Sequence, residues 1–288
     1  MTAALALTTC VLFGLADFGG GLLSRRLPTL TVVVGSQALA ACVLGVAVAT
    51  TGAWQAATDR LWFAVAAGLL GPPALLCFYR ALAMGPMGVV APLTAVEVVV
   101  PLGVGLVLLG ERPGPLQYAG LALALTGVVL AGGPQRGGGR VRPRTVVLTL
   151  VSAMGFGTLL VLLAEASTTG SGLLLALFVQ RLCNLLVGGA ILAAGNHRGV
   201  SPLPRDGVRG LRAALPGLAF IGVADVVANG TYALAYRWGP VTVAAVLASL
   251  YPVVTAVAAR TVLGERLRGI QATGAALAMT GSILLATG

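Results

Sequence analysis

Long apolar runs alternate with short polar breaks along the whole chain. The runs are continuous and lack the two-residue alternation of a lipid-facing strand. A helix needs roughly 20 apolar residues to cross the hydrocarbon layer of a bilayer. Ten stretches approach that length, near residues 3–23, 30–50, 61–84, 88–109, 115–132, 145–166, 172–195, 213–236, 241–263 and 269–287. The pattern predicts an all-α polytopic membrane protein with ten transmembrane helices.

The pattern also repeats. Residues 85–132 align without a gap to 239–286 at a constant offset of 154, with 19 of 48 positions identical. Polar and turn residues keep register: Gly85-Pro86 with Gly239-Pro240, Gly110-Glu111-Arg112 with Gly264-Glu265-Arg266, Gln117 with Gln271, and Gly120 and Gly127 with Gly274 and Gly281. A shared apolar composition alone does not hold such residues in step, so the chain reads as two related halves. Upstream, Phe13, Gly14 and Gln37 match Phe156, Gly157 and Gln180 at an offset of 143. The expected division is a first five-helix repeat over 1–132, a basic linker over 133–144 and a second five-helix repeat over 145–288. Five is odd, so the second repeat enters the membrane with the opposite orientation. The result is a pair of inverted five-helix repeats, an architecture common among transporters.

Composition supports this picture and adds orientation. The 288 residues are 58% hydrophobic and only 9% charged, against about 25% charged in soluble domains. A formal charge of +10 in a soluble chain would suggest nucleic acid. Here every basic residue is Arg, and most lie in short loops beside lipid headgroups, so no nucleic-acid partner is expected. Arg residues concentrate in the odd-numbered loops, including Arg25, Arg26, Arg136, Arg140, Arg205 and Arg209. The positive-inside rule places those loops in the cytoplasm and both termini outside, in a plasma or inner cell membrane. The four cysteines lie in apolar segments without C-x-x-C spacing and read as small core residues.

Ionisable groups within apolar runs cost free energy unless they face a cavity or a partner. Six meet this criterion: Asp17, Arg80, Glu97, Glu165, Arg181 and Asp225. Asp225 opens a stripe with Asn229, Tyr232 and Tyr236 at i+4, i+7 and i+11, all on one helical face. The stripe can line an aqueous path or form a structural polar seam. Arg181, flanked by Gln180 and Asn184, lies too deep to snorkel, so a carboxylate partner, Asp225 or Glu97, or an anionic substrate group is expected. Glu97 is bracketed by Pro92 and Pro101, which can open the helix where it lines a cavity. Its counterpart in the second repeat is Tyr251, so this level is chemically asymmetric. Asp17 and Asp225 are the candidates for proton coupling. Glu165 and Arg80 fit the interface better, His197 a loop, and the two Gly-Glu-Arg triplets helix ends.

The duplicated GPMGVVAPL…LLGERPGPLQYAG and GPVTVAAVL…VLGERLRGIQATG resemble the two domains of the EamA family of the drug/metabolite transporter superfamily, over nearly all of 1–287. The resemblance implies ten helices in two inverted five-helix domains around a central path. It also implies transport of amino acids, other small metabolites or drugs, often outward. Among distant half-length relatives, small multidrug transporters use an acidic residue in the first helix, and Asp17 is the nearest match by type and helix.

Together these readings predict a secondary carrier of a small amino-acid-like or amphipathic solute, exporting by alternating access. Its substrate path would run along Glu97, Arg181, Asn184, Asp225, Asn229, Tyr232, Tyr236 and Tyr251. No enzymatic activity, cofactor or metal is expected: no nucleotide-binding motif and no clustered His or acidic metal motif appears. Ten helices suffice for a path in a monomer, and a dimer is compatible with the same reading. The competing class is a membrane scaffold or accessory subunit whose buried polar groups only hold helices together.

Overall fold

A computed structural model of the protein describes residues 2–100, 114–131, 142–166, 169–197, 207–238, 247–248, 250–264 and 269–287. Among them there is no strand. The helices are α1 (Thr2–Ser24), α2 (Thr29–Thr51), α3 (Leu61–Met84), α4 (Met87–Thr94), α5 (Pro115–Ala131), α6 (Pro143–Ala166), α7 (Gly170–His197), α8 (Gly207–Trp238), α9 (Tyr251–Leu263) and α10 (Gly269–Thr287). Six contain segments long and apolar enough to cross a membrane, in α1, α2, α3, α6, α7 and α8. Shorter apolar segments lie in α4, α5 and α9. The Gly110–Arg112 triplet, Glu265 and Arg266 of its counterpart, and most of the linker lie outside the described residues.

Local chemistry explains several boundaries. α2 follows Pro28 and ends at Gly52, whose left-handed backbone (φ 69°) lets its N–H reach the Val48 carbonyl. Gly264 ends α9 in the same way, bonding the Ala259 carbonyl. α8 begins six residues before the apolar run predicts, because Arg209 and Arg212 are exposed and a helix can continue past the hydrocarbon. His197, expected in a loop, is instead the last residue of α7. α4 tightens into a 3₁₀ turn at Ala95–Val98, one turn after Pro92, and helix resumes at Val99. The irregular turn thus falls on Glu97.

Close packing depends on glycine, since lipid offers no hydrophobic drive to bring helices together. A methyl group added at Gly127 of α5 would strike the Ala278 backbone and the Gly274 carbonyl of α10. One added at Gly281 of α10 would strike the Ala124 backbone and the Gly120 carbonyl of α5. The two contacts are reciprocal at the repeat offset. Partners fall in one helix as they rise in the other, so α5 and α10 run antiparallel. A second pair behaves alike: Gly14 of α1 meets the Tyr251 carbonyl and Val254, while Gly157 of α6 meets the Glu97 carbonyl and Val100.

The helix contacts share this reciprocity. α3 packs on α6 and α7 as α8 packs on α1 and α2, and α1 meets α9 as α6 meets α4. One contact breaks the pattern. α1 lies against α3, where Gly20 accommodates the Tyr79 ring and Gly21 meets Leu82. No contact of similar extent joins α6 and α8 among the described residues. At the offset of 143, α6 has Leu162 and Leu163 where α1 has Gly19 and Gly20.

The reciprocal glycines give a direct test. Gly127→Leu or Gly281→Leu would drive a side chain into backbone that cannot yield, costing about 3 kcal/mol. Gly189→Ala, where an added methyl meets open space, should gain roughly 1 kcal/mol of helix propensity. Thermal unfolding of the purified protein in detergent measures both, as opposite shifts of Tm.

Candidate functional site

A cavity of about 200 Å3 lies among α1, α2, α3, α6, α7, α8, α9 and the 3₁₀ turn Ala95–Val98 that follows α4. Both halves of the chain wall it, with α1 and α3 of the first half and α6 and α8 of the second among the lining helices. α5 and α10 contribute no lining residue. At roughly 30 Å3 of liquid volume per water, the space equals about six or seven waters.

Its polar end is a network joining the two halves. Arg181 on α7 forms an ion pair with Asp225 on α8, Nη2 to Oδ2 at 2.5 Å. Its Nη1 donates to Gln37 Oε1 on α2 at 2.8 Å, and Asn184 Nδ2 donates to the same oxygen at 3.0 Å. Arg181 and Asn184 are buried, so the network replaces water for groups that have left it. Gly71 on α3 gives this cluster room: a methyl there would collide with Asn184 Oδ1. At the repeat offset, Gly71 is the counterpart of Asp225. The ion pair therefore belongs to the second half alone.

Across the cavity, Tyr251 Oη donates to Glu97 Oε1 at 3.2 Å. These two residues are 154 apart, the repeat offset itself, so repeat counterparts touch each other. The Tyr251 ring also packs edge-on against Phe13 at a centroid distance of 6.2 Å. Asp17 on α1 faces the same space.

Each candidate from the sequence can now be placed. Asp17, Glu97, Arg181, Asn184, Asp225, Asn229 and Tyr251 all line the cavity. Asn229 Nδ2 turns back to the Asp225 backbone carbonyl at 2.7 Å. Tyr232 lies farther along α8, outside the lining, and the side chain of Tyr236 lies outside the described residues. Glu165 pairs with Arg60 at the exposed end of α6, and Arg80 is exposed. Of the two partners proposed for Arg181, Asp225 is the one it holds. Sequence reasoning missed Gln37 and Tyr79 as site residues. Gln37 had a signal in its match to Gln180, whereas Tyr79 had none.

Comparison with known proteins follows the same lines. The model of the EamA-like transporter family matches residues 1–133 and 143–287. The chain belongs to the EamA-like transporter family. An "Uncharacterized transporter in cobO 3'region" of Sinorhizobium sp is 33% identical over 93 residues, which cover 31% of this chain and 66% of that relative, just under two thirds of its length. A solved crystal structure shares the fold with a TM-score of 0.62 at 16% identity, over 99% of this chain and 96% of the other. The EamA-like chain is thus a multi-pass membrane protein of a transporter family, with a buried polar network facing a cavity between its halves.

The ion pair generates a stability prediction. Asp225→Leu strands the buried Arg181 charge and should cost about 3 kcal/mol, while Arg181→Met strands the less buried Asp225 and should cost less. Replacing both, as Arg181→Met with Asp225→Leu, should recover most of the loss. Melting of the four proteins in one detergent completes the double-mutant cycle.

Proposed function

We propose that this EamA-like protein is a secondary carrier of a small amino-acid-like or amphipathic metabolite, exporting it across the cell membrane by alternating access. In this reading, residues 1–132 and 145–288 are inverted five-helix repeats joined by the basic linker 133–144. The basic odd-numbered loops face the cytoplasm and both termini lie outside. Asp17 and Asp225 carry the coupling proton, and the path uses Glu97, Arg181, Asn184, Asp225, Asn229, Tyr232, Tyr236 and Tyr251.

The observation that carries the proposal is a cavity walled by both halves, in which α1 packs on α3 while the corresponding α6 and α8 share no contact of similar extent among the described residues. In an inverted pair of repeats, exchanging those two arrangements moves access to the other face of the membrane. Reciprocal packing at Gly127 and Gly281 supports the inversion. The hydrogen bond between counterparts Glu97 and Tyr251 supports a pseudo-two-fold axis at the cavity. A scaffold requires satisfied helix contacts, and it has no use for an internal space lined by ionisable groups.

Liposomes containing only this protein, loaded with a cellular metabolite extract, test the carrier. The expected result is selective efflux of a subset of solutes, read by mass spectrometry, with uphill movement under an imposed pH gradient. Asp225→Asn should lower the initial rate about tenfold or more, the equivalent of one charge-assisted contact of about 1.5 kcal/mol. Efflux equal to that of empty liposomes would establish the scaffold reading instead.

A further inference from the structure

Among the described residues, the cavity is lopsided in its ionisable groups and in its hydrogen-bonding capacity. Three carboxyl groups face it, on Asp17, Glu97 and Asp225, against one guanidinium, on Arg181. Asp225 is taken by Arg181, and Glu97 receives a single neutral hydrogen bond from Tyr251. Asp17 has no hydrogen-bond or ion-pair partner among the described residues. Two carboxyl groups are thus left over.

The buried amides point the same way. Gln180 and Asn184 are 2% and 3% exposed and line the cavity, yet Gln180 Oε1 and Asn184 Oδ1 have no partner among the described residues. The orientation of Asn184 follows from its neighbours. Arg181 can only donate, so Gln37 must turn its carbonyl oxygen toward it, and Asn184 must then present its NH2 group to that oxygen. Asn184 Oδ1 is left as a buried acceptor. Such an atom is costly without a donor. One orphan donor also exists, Arg181 Nε, within a guanidinium that Asp225 already neutralises. A water or a neutral oxygen would satisfy it.

The remaining wall is aromatic and aliphatic, with the rings of Phe13, Tyr79, Phe156 and Tyr251 among the lining residues. Aromatic faces attract cations, most strongly where water is excluded. We propose that the cavity is an ammonium site, in which the carboxyl groups of Asp17 and Glu97, neither of them ion-paired, and the carbonyl oxygens of Gln180 and Asn184 receive a primary ammonium whose compact apolar body lies against the rings. A volume of about 200 Å3 limits that body to about one ring and a short linker. The inference deepens the carrier reading, and rests on it for movement of the ligand, not for binding.

Three probes that share one body separate the alternatives: 2-phenylethylamine, phenylalanine and 3-phenylpropionate. Calorimetric titration of the full chain in lipid nanodiscs should show 2-phenylethylamine binding about tenfold or more tightly than either of the others. Asp17→Asn and Glu97→Gln should each weaken it about tenfold, Asp17→Glu should keep most of the affinity, and Arg60→Ala at the exposed ion pair should change nothing. Equal or tighter binding of phenylalanine or 3-phenylpropionate overturns the proposal, as does the absence of heat from 2-phenylethylamine at millimolar concentration in cooperatively melting protein. Counterflow of labelled 2-phenylethylamine in liposomes reads the carrier separately. Binding without counterflow supports the site and removes the carrier reading, whereas counterflow of 3-phenylpropionate in preference to the amine removes the ammonium site and leaves the carrier.

Discussion

The ion pair between Arg181 and Asp225 is the interaction on which the middle of this protein depends. A guanidinium buried within a membrane helix is costly, and the cost is offset by a charge of opposite sign and by acceptors for its N–H groups. Asp225 supplies the charge and Gln37 an acceptor. The pair lies on α7 and α8 of the second half, while Gln37 reaches across from α2 of the first. Satisfying one buried cation therefore ties the two halves together at the cavity wall.

Around that network the two halves behave as a shared frame with local departures. Small residues at matching positions bring α5 against α10, and α1 and α6 against their neighbours. Where the halves differ in sequence, they differ in packing. Gly20 lets α1 close on Tyr79 of α3, whereas Leu163, at the corresponding place in α6, lines the cavity. Gly71 makes room for Asn184, while its counterpart Asp225 binds Arg181. The cavity is thus a product of unlike residues set on a matched scaffold, and the site's chemistry is concentrated in the differences.

Much of this was legible in the chain itself. Apolar runs near the thickness of a bilayer, with so few charges, leave helices across a membrane as the economical way to satisfy the backbone. The offset of 154 marked two matching stretches of sequence, and buried ionisable residues marked Asp17, Glu97, Arg181 and Asp225 as exceptions that require partners or a cavity. Helix ends were less legible, because a helix such as α8 continues into polar surroundings without any change in backbone bonding. His197 was misplaced for the same reason.

What the sequence alone determined was the class of protein, its helical content and the short set of residues too costly to leave in lipid. Only the tertiary structure decided which of those residues meet. Asp225 and Glu97 were equal as partners for Arg181 until the positions of α4, α7 and α8 separated them, and Gln37 became part of the site through contact with residues 144 and 147 positions away. Sequence spacing sets which face of one helix a side chain occupies. The pairing of faces depends on how closely each pair of helices can approach, and that is decided by glycine-sized gaps summed over the whole bundle.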